Sequence, residues 1–159
     1  MSKLKLKRIS AGVFAGCVLG LLTLRLAWAT PGQLISTTIL SNGAELGEID
    51  VHSKSDDQSV RIKTKGLSNV YVVRNVLQPG GHTGWHSHPG PSIISVVSGE
   101  ATEYHDDDPD GIVHEAGTAF VDDGEHVHIV VNEGNVPLEL IAFQILPDGA
   151  PRRIDEPAP

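Results

Sequence analysis

The sequence is almost free of cysteine, since Cys17 is the only one among 159 residues. It lies inside an apolar run near the N-terminus, so the rest of the chain carries no thiol. Disulfide bonds, thiolate metal ligands and a cysteine nucleophile are therefore excluded beyond that run. An oxidising compartment would do such a chain no harm.

Aromatic and basic side chains are also scarce. Aromatic residues make up 4% of the sequence, and 12 lysines and arginines stand against 20 acidic residues, which gives a formal net charge of −8. A chain of this charge repels phosphate backbones, so the composition argues against nucleic-acid binding. The 17 glycines and 10 prolines favour many short strands joined by turns.

The first 29 residues have the layout of a secretory signal peptide. A basic start precedes an apolar run of fourteen residues, Ala11 to Leu24, and Ala27-Trp28-Ala29 offers a small-x-small cleavage site. We predict a signal peptide over residues 1–29 and a periplasmic or secreted location in a bacterium. The alternative is an uncleaved anchor, although a membrane-spanning helix needs about 20 apolar residues.

Cleavage after Ala29 would change the charge balance. It would leave seven basic and twenty acidic residues, a formal charge of −13, in a chain with no further long apolar run. We therefore expect no stable membrane insertion of the mature protein. Anionic ligands should be disfavoured by such a chain unless a metal ion supplies local positive charge.

Residues 30–159 are predicted to form a single all-β domain. Short β-branched or aliphatic runs recur between turn residues, which is typical of a sandwich or barrel. The barrel core is placed at about residues 70–146, and a polar tail, extended or disordered, at 147–159. Glycines and acidic residues argue against a long regular element at 43–58. The predicted strands are Leu34–Leu40, Val60–Thr64, Val70–Leu77, Ile93–Ser98, Ala101–His105, Thr118–Val121, Val127–Asn132 and Leu138–Leu146.

The spacing of three histidines predicts a metal site. His86 and His88 are two residues apart, so on a strand both imidazoles point to the same face. His128 lies forty residues further on, on another predicted strand, and could close the site from the opposite side. Three neutral imidazoles that leave a position open are typical of a catalytic metal rather than a closed structural one.

The same region resembles the two sequence motifs of the cupin superfamily. The first motif, G-x5-H-x-H-x3-4-E-x6-G, is matched by a glycine at each end and by the histidine pair: Gly80, His86, His88 and Gly99. The second, G-x5-P-x-G-x2-H-x3-N, is matched by Gly117, His128 and Asn132. The resemblance implies an antiparallel double-stranded β-helix, or jelly-roll barrel, with metal ligands at His86, His88 and His128.

This chain departs from the first motif at its glutamate ligand. Ser92 stands there with three-residue spacing and Ile93 with four, and neither is a good metal ligand. In the second motif, Asp123 and Glu125 replace the proline and the glycine. His126 is a possible fourth ligand because it lies two residues before His128. The alternative is that His126 faces solvent or supports a ligand.

The resemblance implies one divalent metal ion, either Fe, Mn, Ni, Cu or Zn, together with a small-molecule ligand and a homodimer. Two functions follow: a metal-dependent oxidoreductase of the dioxygenase type acting on a small organic molecule, or a non-catalytic module that binds a small molecule or a metal. Trp85, beside the histidine pair, is expected at the wall or rim of the ligand cavity. Tyr104 is expected to line it or to serve as a proton donor.

Overall fold

The computed structural model describes residues 29–159, all of them without helix. No helix in this part of the chain is long and apolar enough to cross a membrane. The predicted signal peptide lies outside the described residues except for Ala29. The twelve strands are β1 (Gln33–Leu46), β2 (Asp50–Lys54), β3 (Ser59–Lys63), β4 (Ser68–His82), β5 (His86–Ser87), β6 (Ser92–Ser98), β7 (Glu100–His105), β8 (Ile112–Glu115), β9 (Ala119–Asp122), β10 (His128–Val131), β11 (Leu138–Pro147) and β12 (Ile154–Asp155).

Ten of these strands form one antiparallel sheet that curls into a nearly closed barrel. The hydrogen-bonded order is β12-β5-β10-β4-β11-β6-β9, with β1 added to β4 and the β7–β8 hairpin added to β10. The long strand β4 is central, because it pairs with β1, β10 and β11. The predicted all-β jelly-roll architecture is confirmed.

Strict alternation on β11 shows how the barrel separates its two faces. Leu138, Leu140 and Ala142 are buried, whereas the residues between them are partly or fully exposed. This period of two is the one expected of a strand with one buried face. The buried apolar cluster inside the barrel consists of Val73, Leu77, Ile94, Val96, Ala101, Phe120, Val130, Leu138, Leu140 and Ala142.

All eight predicted strands are present, and β1 runs past its predicted end into residues 43–58. Strand β1 continues through Gly43, with register shifts on either side of Ser41 that fit the chain to β4. Gly43 adopts a φ of 69°, a conformation that glycine tolerates well. Strands β2 and β3 then form a separate exposed hairpin. Residues 43–58 thus contain no long element of their own, and Gly47 and Asp56-Asp57 lie between strands as expected. Only the passage of β1 through Gly43 was not predicted, and bulges allow it.

Two glycines within the motif region are required by close approach of neighbouring backbone. Gly99 has a φ of 78°, and a Cβ there would lie 2.8 Å from Leu138 Cα. Gly124 has a φ of 85°, and a Cβ would lie 2.6 Å from the carbonyl oxygen of Gly90. Gly124 thereby packs the β9–β10 turn against the segment that follows His88.

The C-terminal tail is built into the barrel instead of extending freely from it. Strand β12 pairs with β5, which places Asp155 opposite His86. The amide of Glu156 donates to the Trp85 carbonyl at 3.0 Å, and its own carbonyl accepts from Thr30 at 3.0 Å. The tail therefore lies directly over the histidine pair.

Candidate metal centre

Three buried histidines converge inside the barrel. His86 on β5 and His128 on β10 are cross-strand partners, and His88 follows two residues after His86. Each residue offers a ring nitrogen, and these three atoms lie within 4.8 Å of one another. The structure thus brings together the three histidines that the sequence predicts as ligands.

Backbone carbonyls orient all three imidazole rings in the same way. The Nδ1–H of His88 donates to the carbonyl of Arg152 at 2.7 Å, and that of His86 donates to Gly84 at 2.9 Å. A longer contact of 3.4 Å joins His128 Nδ1 to the carbonyl of His126. A carbonyl can only accept, so the two short bonds place a proton on Nδ1 of His86 and of His88 and leave their Nε2 lone pairs free. Metal-bound histidines are commonly held in this way.

The environment keeps the first two imidazoles uncharged. Burial, reinforced by the neighbouring His128, lowers the pKa of His86 far below its ordinary value. Burial also lowers the pKa of His88 to about 4. A neutral imidazole is the form that can donate an electron pair to a metal ion.

Asp122 adds a carboxylate that the sequence motifs do not predict. It lies on β9, is 4% exposed, and accepts from the Gly124 amide through Oδ1 at 2.9 Å. Its other oxygen, Oδ2, is buried without any hydrogen-bond partner. That oxygen lies 3.8 Å from both His88 Nε2 and His128 Nε2.

An unpartnered buried carboxylate oxygen is costly, because it has lost water and gained nothing in return. A cation between Asp122 Oδ2 and the free nitrogens would satisfy it. Metal–nitrogen and metal–oxygen bonds near 2.0–2.2 Å place neighbouring tetrahedral ligands about 3.4 Å apart, close to the observed 3.8 Å. The residues present therefore fit a divalent metal ion.

The position of the missing motif glutamate is resolved by burial. Ser92 is buried and accepts from Gln144 Nε2 at 3.0 Å, whereas Ile93 is 50% exposed on the opposite face. Three-residue spacing is thus the correct alignment. Ser92 directs a hydroxyl, and no carboxylate, into the cavity.

His126, the possible fourth ligand, does not join the three buried histidines. Its side chain is exposed and lies 3.4 Å from Asp123 Oδ1. It supports the centre only through its main-chain carbonyl, which contacts His128. The turn preceding β10 directs the His126 ring outward, because the regular strand begins only at His128.

Trp85 and Tyr104 lie together at a different surface hollow. This hollow is also lined by His105, Ile129 and Val131, and none of the three buried histidines reaches it. The hydroxyl of Tyr104 donates to Glu133 Oε1 at 2.8 Å. Neither Trp85 nor Tyr104 lines the cavity next to the three histidines. The expectation that they do is wrong, because each side chain points away from the barrel interior.

The cavity in front of the histidines has a volume of about 280 Å³. Part of its wall is apolar, formed by residues such as Ile94, Phe120 and Leu140. Arg152 and Arg153 of the C-terminal tail line it as well. These two arginines were not predicted as cavity residues, because residues 147–159 were expected to form an extended or disordered polar tail. A small ligand would meet an apolar wall, the histidine cluster and a positively charged rim.

A second buried polar cluster lies on strands β7 and β8. Glu103 accepts from His114 Nε2 at 3.0 Å, and His105 Nε2 lies 3.7 Å from its other oxygen. The His114 ring stacks on Phe120 with 3.9 Å between ring centroids. His114 thus connects Glu103 to a side chain that lines the cavity.

Comparison with known proteins agrees with this geometry. Residues 73–144 match the family model of the cupin domain. This segment is a cupin domain. It contains most of β4, all of β5 to β10 and most of β11, and with them the three converging histidines and Asp122. The tail that carries Arg152 lies beyond it.

Individual relatives are more distant. An oxalate-binding protein from Thermotoga maritima is 36% identical over 74 residues, which are 46% of this chain and 60% of that protein. The chain thus matches about three fifths of the length of that relative. The solved structure of the polyketide cyclase RemF from Streptomyces resistomycificus has a TM-score of 0.55 at 14% identity, covering 79% of this chain and 73% of its own. The second similarity shows the shared fold.

Proposed function

We propose that this cupin domain holds one divalent metal ion through His86, His88 and His128, with Asp122 as a further ligand. The observation that carries the proposal is the convergence of three buried imidazoles, two of which have Nε2 3.8 Å from an unpartnered carboxylate oxygen of Asp122. The carbonyls of Arg152, Gly84 and His126 orient the imidazole rings before a metal ion binds. Such preorganisation lowers the cost of assembling a site.

The ligand types limit which metal ions the site would bind, but they do not select a single metal. Imidazole nitrogen suits zinc, copper, iron and nickel, and a carboxylate adds affinity for manganese. A carboxylate ligand would reduce the charge of the centre by one unit compared with three neutral imidazoles alone. When bound, the ion would act as a Lewis acid toward an oxygen atom of a ligand.

The centre would serve a small organic molecule, since the cavity is small and partly apolar. The first and more specific form of this function is a metal-dependent oxidoreductase of the dioxygenase type. The second version is a non-catalytic binding module, which is favoured by one observation: the relative from Thermotoga maritima is named an oxalate-binding protein. By that similarity, oxalate is the first ligand to test.

Metal analysis tests the centre directly. The purified protein would be stripped with a chelator, reloaded with each of Fe(II), Mn(II), Ni(II), Cu(II) and Zn(II), and analysed for bound metal by mass spectrometry. We expect one ion per chain, and a sharp loss of metal for the His86→Ala, His88→Ala and His128→Ala variants. The matched control is His126→Ala, which removes a nearby exposed imidazole. Full metal retention by His86→Ala would refute the centre.

A second experiment separates the two versions of the function. Each metal form would be tested for oxygen consumption and product formation with oxalate, enols and catechols, and in parallel for ligand binding by calorimetry. Turnover that is lost in His128→Ala supports the oxidoreductase. Binding without turnover in any metal form supports the binding module.

We also propose that the protein is exported and that it forms a homodimer. A row of exposed apolar residues, Val121, Ile93 and Phe143, crosses three neighbouring strands of the outer face. A homodimer that buries this row would explain its composition. Light scattering on the purified protein tests this, with Ile93→Asp expected to shift the mass from dimer to monomer.

A further inference from the structure

We propose that Arg152 makes this cavity selective for a small organic carboxylate. The carboxylate would lie against the guanidinium group, while another ligand oxygen faces the histidine centre. The second contact rests on the proposed metal function, whereas the first depends only on Arg152. Because Arg152 lies outside residues 73–144, the recognition would belong to this chain's own tail and not to the matched domain.

The tail holds Arg152 in a fixed place. Its carbonyl accepts from His88 Nδ1 at 2.7 Å, and two residues later β12 pairs with β5. The bonds of Glu156 to Trp85 and Thr30 close the segment on its other side. A side chain that starts from such a constrained backbone loses less entropy when it binds a ligand.

Arg152 is the unpaired cation of the cavity. Among the four arginines in residues 29–159, the other three each have a carboxylate within 4.0 Å, and Arg152 has none. The neighbouring Arg153, by contrast, is bonded to Asp155. Arg152 is half-buried, and its only side-chain hydrogen bond found there is a long one of 3.5 Å to Gln144 Oε1.

An unpaired guanidinium in this position is unfavourable in the empty cavity. Arg152 is half-buried and lines the cavity beside Arg153, so its charge is partly removed from water and has a like charge nearby. A charge that is partly removed from water is stabilised by a partner of opposite sign. An anionic ligand would provide that partner.

Charge and shape together indicate a carboxylate. A divalent ion and Arg152 contribute more positive charge than Asp122 cancels, while Arg153 and Asp155 offset each other, so the loaded cavity is cationic inside an acidic protein. The planar guanidinium matches a carboxylate with two parallel hydrogen bonds. The volume of about 280 Å³ and the apolar wall favour a compact organic acid over a large or purely inorganic ligand.

The test compares charged ligands with neutral ligands of the same shape. Acetate, malonate and succinate, and the amides acetamide, malonamide and succinamide, would be titrated calorimetrically into the zinc-loaded and the metal-free full-length protein. We expect the acids to bind and the amides to bind at least about tenfold more weakly. Arg152→Gln should lower the affinity for the acids by about 10- to 100-fold, as expected for the loss of a charge-assisted hydrogen bond.

Two variants separate charge recognition from other effects. Arg61→Gln removes the same charge from the exposed β2–β3 hairpin and should bind the acids like the parent protein. Arg152→Lys should recover part of the affinity, because it restores the charge without the planar fork. Arg152→Gln keeps the main-chain carbonyl that orients His88, so its metal content should be unchanged.

The outcomes distinguish this inference from the proposed function. Unchanged acid affinity in a metal-loaded Arg152→Gln protein would overturn the inference and leave the metal centre standing. If the parent protein bound no metal, the centre would fail, and the inference would be decided by whether acid binding to the metal-free protein needs Arg152. Tighter binding of phosphate or sulfate than of every acid, or no binding of any acid at millimolar concentration, would also overturn it.

Discussion

Asp122 on β9 is the direct cross-strand partner of Ser92 on β6, and both side chains are buried in the barrel. Ser92 occupies the position at which the first cupin motif has its glutamate. Side chains opposite each other on neighbouring strands lie about 4.5–5.5 Å apart at Cβ. The carboxylate absent from one strand is thus present on the next, and it reaches the same group of histidines.

We predict that Asp122→Asn weakens metal binding by at least about tenfold. Loss of even an outer partner of a metal ligand typically costs 10- to 100-fold in affinity, and Asp122 Oδ2 is proposed as a ligand. Competition titration with a chromophoric chelator would measure the dissociation constant. Asp123→Asn is the matched control, because that neighbouring carboxylate is exposed and bonds only to its own turn. Equal affinity for both variants would exclude Asp122 from the centre.

A carboxylate exchange offers a stricter check. Ser92→Glu in the Asp122→Ser background should recover at least part of the metal affinity, because it moves the carboxylate to the strand where the motif has it. Ser92→Glu alone would place two acids side by side around one ion. If the double variant bound metal no better than Asp122→Ser, the two positions could not both reach the ion.

The histidine centre could be predicted from sequence because its information is local. Spacing of two residues places His86 and His88 on one face, and the motif identifies His128 without knowledge of strand pairing. The eight predicted strands were equally predictable, since each carries its own run of β-branched or aliphatic residues between turns.

Asp122 and Arg152 were not predictable in the same way. Asp122 reaches the centre only through the register of β9 against β6, and that register depends on the whole barrel. Arg152 lies in a polar segment that has little hydrophobic pattern of its own. Its position follows from pairing between β12 and the two-residue strand β5, which is too short to leave a periodic signal. The spacing of residues along the sequence does not predict cross-strand contacts of this kind.

Export remains a prediction that a single measurement can decide. We expect N-terminal sequencing of protein from a bacterial envelope fraction to start at Thr30, since Ala27-Trp28-Ala29 precedes it. The Thr30 nitrogen lies 3.0 Å from the carbonyl of Glu156, so a new N-terminus there would still contact the tail. Protein that retained Met1 and stayed with the membrane would favour an uncleaved anchor.

Asn132 is predicted to stabilise the fold without touching the metal. It is fully buried, donates to the carbonyls of Leu77 and Val136 at 2.9 Å each, and accepts from the Gly134 amide at 3.1 Å. Asn132→Ala would leave these buried groups unpaired, at a cost of about 1–3 kcal/mol for each unsatisfied group. Urea unfolding of the metal-free protein should show a loss of at least about 2 kcal/mol.

The control for Asn132 is the affinity of the folded fraction for metal. It should match that of the parent protein, because no hydrogen bond of Asn132 involves the three histidines. A variant with normal stability but weakened metal binding would contradict the structural role. The two measurements together therefore assign Asn132 to the barrel and not to the centre.

The last prediction concerns the tail as a support for His88. Deleting residues 150–159 removes the Arg152 carbonyl, which holds the His88 ring with its Nε2 free. Metal affinity should fall by about 10- to 100-fold, the usual effect of losing an orienting partner, even if circular dichroism shows an intact barrel. Arg152→Gln retains that carbonyl, so it should bind metal like the parent protein. Equal metal affinity of the truncated chain and Arg152→Gln would show that the tail contributes to ligand binding alone.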